Sequence, residues 1–182
     1  MKKYNVAVVG ATGAVGEAMF DILNERQFPI DNIYALASEK SEGKKVMLGS
    51  KAITVTDLKN FDFSLADIAL FSAGGAISAE FAPKAGESDC VVIDNTSYFR
   101  YENDIPLIVP EVNPCNIGEY KHRNIISNPN CSTIQMLVAL KPIYDAVGIE
   151  RITVSTYQAV SGSGTAAVNE LAKQTAELLN GR

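Results

Sequence analysis

Apolar positions set the rhythm of this chain. Residues 4–9 (Tyr-Asn-Val-Ala-Val-Val) form a short apolar run of the kind that makes a strand buried on both faces, and it stops at Gly10. Val15, Ala18, Met19, Ile22 and Leu23 then recur at helical spacing, and Pro29 closes that helical region. A second strand fits 32–37, followed by a polar turn over Ser38 to Gly43. The alternating stretch 46–56 reads as extended structure and Ile68 to Ser72 as another buried strand. After Gly74-Gly75 a helix is expected over 76–86, then a strand over 90–94. Strand, glycine and helix repeated in this way predict an α/β fold, a doubly wound, Rossmann-like parallel sheet, because parallel neighbours need a crossover between them.

Residues 97–130 lose this regularity. They are rich in Asn and Pro, carry short apolar runs at 107–109 and 124–126, and are expected to be an irregular transition. Helix resumes at about Cys131 and runs towards Gly148, with Pro142 expected to kink or shorten it. A long strand is expected over 150–160. Val168, Leu171, Ala172, Leu178 and Leu179 then form a helical stripe that needs a partner surface. The expected division is a nucleotide-binding domain over 1–130 and the beginning of an α+β catalytic or dimerisation domain over 131–182, cut short at Arg182.

Composition narrows the partners. With 182 residues and 47% hydrophobic content the chain can bury a real core. A net charge of −5, with no basic run longer than Lys44-Lys45, argues against DNA or RNA. No apolar stretch of about 18 residues is present to span a bilayer, and Met1-Lys-Lys leads straight into a strand without a signal-peptide core, so a cytoplasmic protein without a membrane partner is expected. The three cysteines, Cys90, Cys115 and Cys131, contain no CxxC pair, so free thiols and no metal site are expected.

The glycines carry the first chemistry. In Gly10-Ala-Thr-Gly-Ala-Val-Gly16 the first glycine allows a tight turn, Gly13 lets the backbone approach a pyrophosphate, and Gly16 permits close packing of helix on strand. The motif sits between an expected strand and an expected helix, the context that phosphate binding at a helix N-terminus requires. Some 20 residues beyond such glycines an acidic residue ordinarily holds the ribose 2′-hydroxyl of NAD. Here Ser38 stands at that place, with Lys40 and Ser41 beside it. Hydroxyls and a cation suit a 2′-phosphate and favour NADP, while Glu39 leaves NAD open.

The second chemistry is a thiol. Asn128-Pro-Asn-Cys-Ser-Thr133 precedes a helical pattern, so Cys131 falls in the first turn of a helix, where the dipole favours thiolate. Cys90 opens an apolar strand and reads as a core thiol; Cys115 reads as incidental. His122 is the single histidine, and its flanks Tyr120-Lys121 and Arg123-Asn124 suggest a surface position instead of a catalytic base.

Taken in order, Gly10 to Gly16, Phe71-Ser-Ala-Gly-Gly75, Asp94-Asn-Thr-Ser97, Val109-Pro-Glu-Val-Asn113, Asn128 to Thr133 and Tyr157-Gln-Ala-Val-Ser-Gly162 resemble the amino-terminal portion of the bacterial type of aspartate-semialdehyde dehydrogenase. The resemblance implies NADPH-dependent reductive dephosphorylation of L-aspartyl 4-phosphate to L-aspartate 4-semialdehyde, on the path to lysine, threonine and methionine. It implies that Cys131 is the nucleophile that forms an acyl-thioester, with Asn130 positioning it, Gln158 orienting the substrate and Arg100 binding phosphate. Cofactor contacts are implied at Gly10, Thr12, Gly13, Ala14, Val15 and Gly16, at Ser38, Lys40 and Ser41, at Ser72 and Gly74, and at Ser161 and Gly162 beside the nicotinamide. Homodimers or homotetramers are implied as the assembled form.

Two departures stand out. Lys40 occupies a position where the family usually carries arginine, which keeps the charge and loses the planar fork. The family's histidine acid/base, a second substrate arginine and further phosphate ligands fall beyond Arg182. N-acetyl-glutamyl-phosphate reductase shares the fold and thioester chemistry but typically has Gly-Cys-Tyr-Pro where this chain has Asn130-Cys-Ser-Thr133. A nucleotide-binding module without catalysis is the remaining alternative.

Overall fold

A computed structural model describes residues 2–181. Seven strands, β1 (Tyr4–Val9), β2 (Ile30–Ala37), β3 (Lys45–Leu48), β4 (Lys51–Asp57), β5 (Ile68–Phe71), β6 (Val91–Asp94) and β7 (Ile125–Ser127), form one sheet in the order β3-β4-β2-β1-β5-β6-β7. All pairs are parallel except β3 with β4, an antiparallel hairpin at one edge. Four helices accompany it, α1 (Ala14–Glu25), α2 (Gly75–Glu87), α3 (Cys131–Val147) and α4 (Thr165–Leu179).

β1 lies at the centre because it is apolar on both faces, and its alternation sorts the core into two layers. Ala7 and Val9 pack in one cluster with Phe71, Val92 and the α2 residues Phe81, Ala82 and Ala85. Val8 points the other way, into a cluster with Phe20 of α1, Ala35 and Val55. The two crossover helices therefore cover opposite faces, as the doubly wound reading requires.

Several expectations are corrected. The extended stretch 46–56 is a hairpin that turns at Gly49 and Ser50, and β2 begins at Ile30. The transition 97–130 contains a strand: Ile125–Ser127 pairs with Val92–Asp94, and Leu107 bridges to Ser127. Three residues are too few to show a period, so only the neighbouring strand defines it. Helix α3 runs as one element through Pro142, whose ring and the Val138 turn below it are exposed, so water can take the carbonyl that proline frees. The strand expected over 150–160 is absent. Residues 151–159 pair with no neighbour among the described residues and are exposed, and an extended segment without a ladder partner is not a strand.

The sheet order places the functional edge. Going outward from β1, the connection runs one way to β2 and the other way to β5, so the strand order reverses there and a crevice opens at the carboxyl ends. Gly10, Ser38, Ser72, Asn95 and Asn128 each follow directly on a parallel strand or its last residue, and all lie along this edge.

Candidate active site

The glycine turn is tied down before α1 begins. Gly10 and Ala11 both donate their N–H groups to the Leu36 carbonyl at 2.9 and 3.1 Å, and Gly13 donates to the Gly10 carbonyl at 3.0 Å. Glu17 donates to the Gly13 carbonyl at 2.9 Å as the α1 ladder begins. The N–H groups of Ala14, Val15 and Gly16 precede that ladder and are the donors that a helix N-terminus offers to phosphate. Gly16 is buried beneath the turn, and a Cβ there would collide with the Gly10 carbonyl. Its role is packing, the one assigned to the third glycine.

A cleft of about 400 Å³ opens beside this turn. Gly10, Thr12, Gly13, Ser38 and Ser72 line it, together with an apolar wall of Leu58, Ile77 and Phe81. A slot with an apolar wall, hydroxyls and backbone donors, and the charged Asp57, Lys59 and Glu80 at a strand-order reversal fits a dinucleotide. Ser72 closes the join between strands, its Oγ donating to the Val9 carbonyl at 3.1 Å. Ser41 lies nearly buried behind the cleft, where its Oγ accepts from Thr12 Oγ1 at 3.5 Å. Ala14, Val15, Lys40 and Gly74 lie outside the lining; Gly74 caps α2 and Lys40 is exposed. Asp57, Leu58, Lys59 and Phe81 were not foreseen as lining residues. The position of β4 next to β2 brings the first three here, and strand order is not visible in a single run of residues.

Cys131 begins α3, a helix of 17 residues. Asn130 is its cap: Oδ1 accepts from the Ser132 N–H at 3.0 Å and from Ser132 Oγ at 2.6 Å. The Cys131 thiol donates to the same oxygen at 3.8 Å, so the cap that starts the helix also holds the sulfur. A second cleft, of about 440 Å³, is lined by Cys131, Ser132, Gln135, Thr156, Gln158, Ser161 and Gly162. Four expected site residues, Cys131, Gln158, Ser161 and Gly162, thus meet around one space. Gln158 is steadied by donating from Nε2 to Thr156 Oγ1 at 3.1 Å.

Arg100 lines neither cleft, but it bonds the strand ends that lead to this cysteine. Its Nε donates to the Asn128 carbonyl at 2.9 Å and its Nη2 to the Asn95 carbonyl at 3.2 Å. Asn128 in turn donates from its N–H to the Asp94 carbonyl at 3.1 Å. Two directed bonds fix the guanidinium, one of them to a carbonyl two residues ahead of the Asn130 cap, and its remaining donors can serve an anion. The other thiols behave as expected. Cys90 is fully buried, and burial, with the Asp67 carboxylate adding to it, pushes its thiol up to about 12. Cys115 is exposed and donates to Asn116 Oδ1 at 3.4 Å. His122 is exposed at the end of a 3-10 turn and lines neither cleft. Among the described residues no group of three or more metal-binding side chains assembles, and no helix is long and apolar enough to cross a membrane.

A glycine turn at the reversal of a parallel sheet, with a capped cysteine presented from the same edge, defines a dinucleotide-binding α/β protein built around an accessible thiol. Comparison with known proteins refines that class. A family model described as the semialdehyde dehydrogenase NAD-binding domain matches residues 5–120, and one described as the semialdehyde dehydrogenase dimerisation domain matches 140–182. The chain belongs to the semialdehyde dehydrogenase family. It is 64% identical over 180 residues to aspartate-semialdehyde dehydrogenase 2 of Vibrio cholerae, covering 99% of this chain and 53% of that protein. To the aspartate-semialdehyde dehydrogenase of Legionella pneumophila it is 61% identical, covering 98% and 51%. Among solved structures, aspartate semialdehyde dehydrogenase II of Vibrio cholerae complexed with ASA superposes with a TM-score of 0.96 at 63% identity, over 100% of this chain and 54% of that one. The Candida albicans enzyme with NADP gives 0.66 at 26% identity, over 81% and 48%. The chain spans about half the length of the curated relatives it matches.

Proposed function

We propose that the protein containing this chain catalyses the NADPH-dependent reductive dephosphorylation of L-aspartyl 4-phosphate to L-aspartate 4-semialdehyde. The observation that carries the reading is the meeting of Cys131, Gln158, Ser161 and Gly162 around one cleft at the N-terminus of α3. Relatives named aspartate-semialdehyde dehydrogenase at 64% and 61% identity support it over the N-acetyl-glutamyl-phosphate alternative. In this reading residues 1–130 hold the dinucleotide, residues 131–182 begin the catalytic and dimerisation part, and the assembled enzyme is a cytoplasmic homodimer or homotetramer.

The Cys131 thiolate attacks the acyl carbon of the substrate, a carbon–sulfur bond forms, and phosphate leaves with the electron pair of the broken carbon–oxygen bond. Gln158 orients the acyl group. Arg100, already held by the Asn95 and Asn128 carbonyls, binds the phosphate with its remaining donors. NADPH, when bound, would supply the hydride for reduction of the thioester. The carbon–sulfur bond then breaks, the aldehyde departs and the thiolate returns to Cys131. Asn130, through its hydrogen bond to the thiol, sets the direction of approach. The N–H groups of Ala14, Val15 and Gly16 would hold the pyrophosphate, with Thr12 lining the cleft next to them. Ser38 and Ser41 would take the adenosine ribose end, with Lys40 exposed on the turn between them; Ser72 lines the cleft, Gly74 caps α2 beside it, and Ser161 and Gly162 would receive the nicotinamide.

The test runs the reaction in reverse without phosphate. Aspartate semialdehyde and NADP should produce one burst of NADPH per site, and peptide mass spectrometry should find the aspartyl group on Cys131. A burst with no adduct on Cys131, or an adduct on another residue, overturns the assignment.

A further inference from the structure

We infer that Lys44 supplies the main charge that recognises a 2′-phosphate on the adenosine ribose and so sets the preference for NADP over NAD. The inference deepens the cofactor reading above and rests on it.

Lys40, the cation nearest the expected strand end, stands on the 3-10 turn Glu39–Ser41 and is exposed. Its ammonium makes no hydrogen bond to Thr12, Ser38 or Ser41 among the described residues. Lys44, also exposed, reaches Ser41 instead. Gly43, at φ +78°, reverses the chain between the turn and β3. The backbone beyond it is locked on both sides: Lys44 donates its N–H to the Ser41 carbonyl at 3.2 Å, and its own carbonyl accepts from Val55 of β4 at 2.8 Å. From that fixed base the side chain folds back, and Nζ donates to Ser41 Oγ at 3.4 Å.

Ser41 Oγ also accepts from Thr12 Oγ1 at 3.5 Å, so the glycine turn, the turn after β2 and the start of β3 bring two hydroxyls and one ammonium to a single point. Both donations are long, beyond the usual range for such bonds. Donors engaged so weakly are ready to turn to a better acceptor. Ser41 is tied to Ser38 at the end of β2, its N–H donating to the Ser38 carbonyl at 2.8 Å, and the ribose 2′-position falls there in folds of this kind. A phosphate there has several oxygens for these donors and two negative charges for the ammonium, whereas a 2′-hydroxyl offers one weak acceptor. Glu39 and Glu42, both exposed on the same turn, would repel a phosphate, which makes a directed cation necessary.

The decisive experiment titrates this chain with adenosine 2′,5′-bisphosphate and with 5′-AMP by isothermal calorimetry. Tighter binding of the bisphosphate by the unaltered chain tests the cofactor reading alone, and equal binding of the two ligands overturns that reading. Lys44→Ala should weaken the bisphosphate about tenfold or more and leave 5′-AMP unchanged, the loss expected for one bond to a charged group. Lys44→Arg should retain most of the affinity, and Lys40→Ala should change it by less than about twofold, as for a surface charge bonded to neither hydroxyl. If Lys44→Ala keeps the bisphosphate affinity, or Lys40→Ala carries the loss, the assignment of Lys44 is wrong while the cofactor reading stands.

Discussion

The Asn128 side chain donates from Nδ2 to Asn95 Oδ1 at 2.7 Å, joining the carboxyl ends of β6 and β7. Both residues also give their backbone carbonyls to Arg100, so one short bond closes a loop of contacts that ends at the Cys131 cap. Either Asn95→Ala or Asn128→Ala should lower stability by about 1 kcal/mol in urea unfolding, the worth of one such bond. The double variant should lose little more than either single one. Additive losses would show that the two side chains act independently.

Asp94 lies fully buried just before this pair. Its carboxylate accepts from Ser78 Oγ at 2.8 Å, from the Thr96 N–H at 3.0 Å and from Thr96 Oγ1 at 2.8 Å. Asp94→Ala strands two hydroxyls and an N–H in the interior and should cost roughly 3 kcal/mol in chemical denaturation. Asp94→Asn, which keeps an acceptor, should recover part of that loss. Equal destabilisation by the two variants would point to packing instead of hydrogen bonding.

Much of this arrangement was legible in the residues. β1, α1 and the glycine turn stood out because a two-sided apolar run, a tight-turn residue and a helical stripe follow one another without interruption. Cys131 was visible because Asn130 is a strong cap ahead of an apolar period. What escaped depended on partners distant in sequence. β7 exists through its pairing with β6, and Asp57 to Lys59 enter the cleft through the place of β4 in the sheet. The strand expected over 150–160 fails for the opposite reason: residues 151–159 are exposed and no neighbouring strand completes them.

The buried thiol and the thiol at the start of α3 should separate under alkylation. Cys90 is buried with its thiol pushed up to about 12, whereas Cys131 is exposed. Iodoacetamide at pH 8 should label Cys131 and spare Cys90, as read by peptide mapping. A raised pKa in the folded state means that the folded protein holds the Cys90 proton more tightly than the unfolded one. Its contribution to stability is present below the ordinary value of 9.0 and falls as pH rises from there through about 12. Unfolding followed stepwise over that range should show the decline, and Cys90→Ala should flatten it.

The decisive measurement is turnover of aspartate semialdehyde with NADP and inorganic phosphate in the protein that carries this chain. Covalent catalysis through Cys131 with NADP predicts phosphate-dependent formation of NADPH that Cys131→Ala abolishes while dinucleotide binding persists. Turnover at the unaltered rate in Cys131→Ala, or equal or better use of NAD, would contradict it.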